Sequence, residues 1–228
     1  MGPFVPLYTA DALVLRTYKL GEADRIVVFL TRDRGKKRGV AKGARRQRSR
    51  FMGALEPLTE VRVVYFEKEQ RELVGLNSAD TIRSPLSLMG PAEAGHYVRD
   101  GDALGYVSYF AELLDEWAQD SDVDDRLYRL GASMLDALMA GAPVEPLARY
   151  FEYWLLRLQG VYPEARGSLS DGAVAFLTAS RSAAPDRVGD LPAERRMLKE
   201  LETVHRALIS MHLEKTLKSD RVLRDLRR

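Results

Sequence analysis

The hydrophobic pattern of this chain changes period once, and that change limits what it can fold into. Up to residue 83 the apolar residues come in short β-branched runs, at 13–18, 24–31, 36–43, 58–66 and 73–82. Within 58–66 the alternation is close to two, with Val61 and Val63 on one face. Asp33-Arg34-Gly35 supplies a tight turn between the second and third runs. Five short strands in so little chain are too few for a sandwich. They suit a small closed barrel, for which the five-stranded OB-fold is the first expectation and an SH3-like barrel the alternative.

Pro85, Gly90 and Pro91 then interrupt both kinds of regular structure. Beyond them the period becomes helical. Tyr106, Phe110, Leu113, Leu114 and Trp117 share one face, and Leu127, Leu130, Met134, Leu135 and Leu138 another. Leu147, Phe151, Trp154, Leu155 and Leu158 form a third stripe, with Gly160 at the C-cap position. Ser170 can cap a short helix through Leu177, and a last helix is expected over 193–217 after a polar loop at 180–192. The expected class is therefore α+β: an N-terminal barrel over 1–83 and an all-helical domain over 84–228.

Charge follows the same division. Residues 1–83 carry 17 Lys/Arg against 10 Asp/Glu, and residues 84–228 carry 18 against 23. The opposite signs suggest that one half meets a polyanion and the other does not. The chain has no cysteine, which excludes disulfides, thiolate zinc sites and cysteine nucleophiles. No apolar run reaches the roughly 18 residues of a membrane span. The first residues have neither the basic nor the apolar region of a signal peptide, nor a myristoylation motif. A cytoplasmic location is expected.

The densest chemical feature is cationic. Between Arg32 and Arg50 there are ten Lys/Arg and one acid, Asp33. Nucleic acid is bound by replacing condensed counterions with such groups, so Arg34, Lys36, Lys37, Arg38, Lys42, Arg45, Arg46, Arg48 and Arg50 are candidate phosphate contacts. Single-strand binding also uses rings on which bases stack, and Tyr18, Phe51, Tyr65 and Phe66 are candidates, Phe51 the first of them. A solvated face and ordinary core aromatics are the competing readings.

From Glu93 to Asp136 there are eleven acids and three basic residues. The stretch lacks the glycine and terminal Glu of a calcium loop, so it reads as a solvated connection that repels DNA. His205 and His212 are seven apart, not the three or four usual for a metal pair. No phosphate-binding loop, Ser/His/Asp grouping or paired-carboxylate motif is present. No cofactor, metal or catalytic residue is expected.

These residues resemble the RecO family of bacterial recombination mediators. The resemblance runs through Ala12-Leu13-Val14-Leu15-Arg16-Thr17, Leu20-Gly21-Glu22-Ala23-Asp24-Arg25-Ile26-Val27, Val40-Ala41-Lys42-Gly43-Ala44-Arg45-Arg46 and Gly53-Ala54-Leu55-Glu56-Pro57. It continues in Phe151-Glu152-Tyr153-Trp154-Leu155-Leu156-Arg157-Leu158-Gln159-Gly160-Val161-Tyr162-Pro163 and in the closing His212-Leu213-Glu214-Lys215-Thr216-Leu217-Lys218-Ser219. The resemblance implies an OB-fold and a helical domain. It implies binding of single- and double-stranded DNA, strand annealing, and partnership with RecR and the C-terminal tail of single-stranded-DNA-binding protein to load the recombinase. That tail would meet an apolar groove with a basic rim, for which Tyr153, Arg157 and Arg206 are candidates. Many relatives carry a four-cysteine zinc insertion after Gly-x-x-Pro, whereas here Gly160-Val161-Tyr162-Pro163 runs on without cysteine. Other classes remain open at this stage: an RNA- or ribosome-associated barrel, a nuclease with clustered carboxylates, or a pure adaptor.

Overall fold

The period-two runs close into a five-stranded barrel in the computed structural model, which describes residues 6–68, 72–86, 101–163, 169–215, 217–219 and 223. The strands are β1 (Leu7–Leu20), β2 (Asp24–Thr31), β3 (Gly35–Ala41), β4 (Glu60–Phe66) and β5 (Val74–Arg83). Their order around the barrel is β1-β2-β3-β5-β4. Only β3 and β5 run parallel; the other four pairings are antiparallel. This is the OB-type closed barrel, and the helices that follow complete the α+β class. Four expectations fall partly outside the described residues: the interruption beyond residue 86, the first part of the acidic stretch from Glu93, the connection at 164–168, and Thr216 of the closing segment.

β1 is longer than its apolar run because it pairs on both sides, with β4 over Leu7–Leu13 and with β2 over Ala12–Leu20. The register shifts between Val14 and Arg16, which leaves Leu15 as an extra residue. Leu13, Val14 and Leu15 are consequently all buried. Val14 joins Ala10, Ala12, Phe29, Val61, Val63, Tyr65 and Leu76 in the barrel core. Leu13 lies outside that core cluster, near Leu114 and Gly131. Strands covered on both faces read as continuous apolar runs, which is what residues 13–15 and 26–30 show.

The helices are α1 (Gly101–Trp117), α2 (Asp125–Ala140), α3 (Val144–Leu158), α4 (Asp171–Ser180) and α5 (Arg195–Leu213). A single 3-10 stretch, Pro185–Asp190, occupies the loop expected at 180–192. Ser170 does cap α4, its hydroxyl accepting from the Ala173 N–H. α5 stops four residues earlier than its apolar pattern suggests, where Glu214 turns left-handed at φ 52°.

The chain forms two compact units. One is Met1–Gly90 with Ala111–Ala132; the other is Pro91–Phe110 with Ser133–Arg228. The second unit is tied internally by a buried polar network. Glu152 of α3 accepts from Tyr109 at 2.8 Å and from Arg149 at 2.6 Å, and its other oxygen lies 3.0 Å from His205 Nδ1 of α5. Tyr162 stands 3.3 Å from the far ring nitrogen of His205. His205 is thus enclosed by these partners, while His212 is exposed. Among the described residues no group of three His, Asp or Glu could hold a metal ion, and no helix is long and apolar enough to cross a membrane.

Candidate nucleic-acid interface

The cationic stretch divides into two parts with different electrostatic surroundings. The first part runs from Arg32 through β3. There the acidic segment 115–125, which belongs to the same compact unit, lies alongside it. Lys36 is buried, with its ammonium 2.7 Å from the Asp115 carbonyl oxygen and 3.3 Å from Asp115 Oδ1. The same carboxylate pairs with Arg16. Lys37 meets Glu67 at 2.9 Å and the Ser121 hydroxyl at 3.2 Å. Arg38 reaches Asp120 at 3.5 Å, and Arg32 reaches Asp125 at 3.2 Å.

Backbone holds this acidic segment in place. The Ser121 N–H donates to the Lys36 carbonyl at 2.9 Å. Gly35, at φ 66°, starts β3 with its Cα against the backbone of Asp122, so a Cβ there would run into that peptide. A left-handed residue in so close an approach has to be glycine. Arg34 points elsewhere: its guanidinium lies 4.4 Å from the Tyr8 ring centroid.

The second part is the connection from β3 to β4, residues 42–59. It is built from successive tight turns: Ala44 N–H to Ala41 O, Arg46 to Gly43, Ser49 to Arg46, Met52 to Ser49 and Ala54 to Phe51. The β1–β2 hairpin anchors it. The Arg45 N–H donates to the Ala23 carbonyl at 2.9 Å, and the Gly43 N–H to Asp24 Oδ1 at 2.8 Å. Phe51, Ala54 and Leu55 then enter the barrel core. Leu58 closes the connection against β1, donating its N–H to the Val14 carbonyl at 2.7 Å.

The folded loop leaves Lys42, Arg45, Arg46, Arg48 and Arg50 all exposed. Arg45 donates to the Gly21 carbonyl at 2.8 Å, and Arg50 lies 5.0 Å from the Phe51 ring centroid. Five cations with no acid within residues 42–50 make a concentrated positive strip on a fixed backbone.

Of the four candidate rings, two are interior. Phe51 is 2% exposed and Tyr65 0%. Burial, with Glu67 nearby, pushes the Tyr65 phenol up to about 12. Tyr18 is exposed at 43%, with the Arg16 guanidinium 5.2 Å from its ring centroid. Phe66 is half-buried and lines an open groove of about 490 Å³ between the ends of β3 and β5. In the second unit, Tyr153 is buried and its hydroxyl accepts from Arg157 at 2.9 Å. The Arg157 guanidinium lies 5.6 Å from both the Tyr153 and Trp154 rings. Arg206 pairs instead with Glu202 at 2.7 Å.

A closed OB-type barrel that carries an exposed cationic loop defines a class of fold rather than an activity. Within that class the chain has close relatives. Residues 5–85 match the family model described as Recombination protein O N terminal, and residues 98–167 match Recombination protein O C terminal. The chain is 45% identical over 158 residues to the DNA repair protein RecO of Koribacter versatilis, covering 69% of this chain and 61% of that protein. It is 37% identical over 161 residues to that of Anaeromyxobacter sp. strain K, covering 71% and 60%. With the DNA repair protein RecO of Nocardioides sp. it shares 34% identity over 93% of this chain and 97% of the relative. This chain belongs to the RecO family. Its match spans about three fifths of the length of the first two relatives.

Proposed function

We propose that this protein acts in DNA repair as a non-enzymatic recombination mediator of the cytoplasm, binding single- and double-stranded DNA through the loop at 42–50. The observation that carries this reading is the strip Lys42, Arg45, Arg46, Arg48 and Arg50. It is exposed, held by main-chain hydrogen bonds, and makes no ion pair with another described residue. Each such group releases a counterion when it meets a phosphate. Because the contacts are to phosphate, binding is blind to sequence, as repair requires.

A strip that screens phosphates on two strands at once lowers the repulsion that opposes their pairing, and this supports annealing as the activity. Arg34 and Arg38 can extend the strip, each with its guanidinium partly exposed. Lys36 and Phe51, which the sequence placed among the contacts, serve the interior of the barrel unit instead. RecR and the C-terminal tail of single-stranded-DNA-binding protein are the partners that family membership supports. Arg157, an exposed cation beside the Tyr153 and Trp154 rings, suits an acidic tail; Tyr153, itself buried, and Arg206, engaged with Glu202, suit it less.

The experiment is a salt titration. Arg45, Arg46, Arg48 and Arg50 are replaced together by Ala, and affinity for single-stranded DNA is measured against salt. The slope of log K on log salt should fall by about 0.7 for each phosphate contact removed. A slope equal to that of the unaltered protein would take the loop out of the binding site. Equal competition by RNA would move the reading toward an RNA-associated barrel.

A further inference from the structure

The groove beside the cationic loop has a more specific chemistry than the loop itself. Its floor is the short parallel pairing of β3 with β5, where Val40 lies opposite Gly75. Phe66 is the last residue of β4, and the strand alternation that sends Tyr65 into the core sends Phe66 outward. Phe66 pairs with Gly75 across β4–β5. The far end of its ring lies over the Gly75 Cα, where any Cβ would overlap it. The glycine thus lets the ring settle onto the strand, while the ring remains part of the groove wall.

Around this ring the described lining of the groove is cationic. Lys42, Arg50 and Lys68 line it, with Glu72 the one acid among the described residues. The Lys68 ammonium stands 5.6 Å from the Phe66 ring centroid. Lys42 and Arg50 belong to the strip already described, so a strand following that strip passes the mouth of the groove. Its volume of about 490 Å³ lies within the roughly 300–1,000 Å³ of pockets that seat small organic groups.

We propose that this groove seats one unpaired base of a single strand on Phe66, with its flanking phosphates on Lys42, Arg50 and Lys68. This rests on the DNA-binding reading above and adds discrimination to it. A cationic strip alone treats single and double strands alike, because both present phosphates. A ring in a groove does not, since bases inside a duplex have no free face to offer. The other interior rings cannot take this role, and Tyr18 does not line the groove.

The test uses the full chain with Phe66→Leu and Phe66→Trp, and two probes: an oligothymidine and a duplex of equal length. Phe66→Leu should weaken oligothymidine binding by about tenfold, the loss expected for one stacked base, and leave duplex affinity and the salt slope as they were. Phe66→Trp places a fluorophore in the groove, so its emission should be quenched by oligothymidine and not by duplex. If Phe66→Leu binds oligothymidine like the parent and Phe66→Trp is unquenched, the base seat is overturned while the cationic strip stands. If the parent binds neither probe, both readings fall together. The tryptophan variant reports even if leucine perturbs the strand end.

Discussion

The ammonium of Lys36 touches Asp115 twice, at 2.7 Å from its main-chain carbonyl oxygen and 3.3 Å from Oδ1, with both side chains nearly sealed from solvent. A cation from the most basic stretch of the chain is thereby committed to the interior. Removing one partner of a buried pair leaves the other charge desolvated. Lys36→Met should therefore destabilise the protein by about 3 kcal/mol, read as a lower urea midpoint. Arg16 still faces Asp115, which tempers the loss. The same variant should bind DNA with unaltered salt slope, whereas Arg46→Ala should lower that slope by about 0.7 and leave the urea midpoint in place.

Asp120 faces Lys36 at 3.7 Å and Arg38 at 3.5 Å and is itself exposed. On the proposed DNA-binding reading, its carboxylate would compete with phosphate for Arg38. Asp120→Asn should raise DNA affinity by about threefold at low salt, with the gain vanishing near 1 M salt, as expected when an exposed ion pair worth about 0.2–1 kcal/mol is removed. Fluorescence anisotropy across a salt series measures this.

Gly35 combines φ 66° with close approach to the Asp122 backbone. Gly35→Ala should cost about 2 kcal/mol or more, because the new methyl both strains the turn and pushes the acidic segment off β3. Thermal unfolding gives the size of the effect. Gly21, also left-handed but with open space around its Cα, should tolerate Ala at the smaller cost of strain alone.

Glu152 gives the acid limb of stability. Burial alone would raise its pKa, but the Arg149 guanidinium and the hydrogen bond from His205 hold it below the ordinary carboxylate value. Its pKa is thus lower in the folded than in the unfolded chain. The ionised form contributes stability above about pH 4.5, and that contribution is lost as pH falls through the folded value. Glu152→Gln should lose about 3 kcal/mol at neutral pH by leaving the buried Arg149 only its 3.5 Å pair with Glu202, and its stability should then fall less steeply with acid than the parent's. Urea midpoints from about pH 7 to about pH 3 compare the two.

The elements that local pattern dictates were legible in the sequence. β2 begins and ends at the residues its apolar run marks, and the Leu147–Leu158 stripe lies within α3. Where a residue answers to distant chain, local pattern is insufficient. Residues 7–12 carry Tyr8 and Asp11 and give no strand signal alone, yet they extend β1 because β4 offers them a partner. The cations from Arg32 to Arg50 form one unbroken run in sequence. Nothing within that run reveals that the distant Asp115, Asp120 and Asp125 pair with Lys36, Arg38 and Arg32. Phe51 looks like a ring presented beside Arg50, but the loop turns back at Ser49 and Met52 and drives it inward. Phe66 was among the candidate rings, and the signal that singles it out is Gly75, whose meaning depends on strand register.

Leu13 and Leu30 face each other across β1 and β2, and neither has any exposed surface. Leu13 rests near Leu114 and Gly131, from far later in the chain. A fragment cut at the prolines after β5 would bare this leucine pair to water. Such a fragment should be sticky and poorly behaved, and anyone wanting the barrel half by itself will have to carry residues 111–132 along with it.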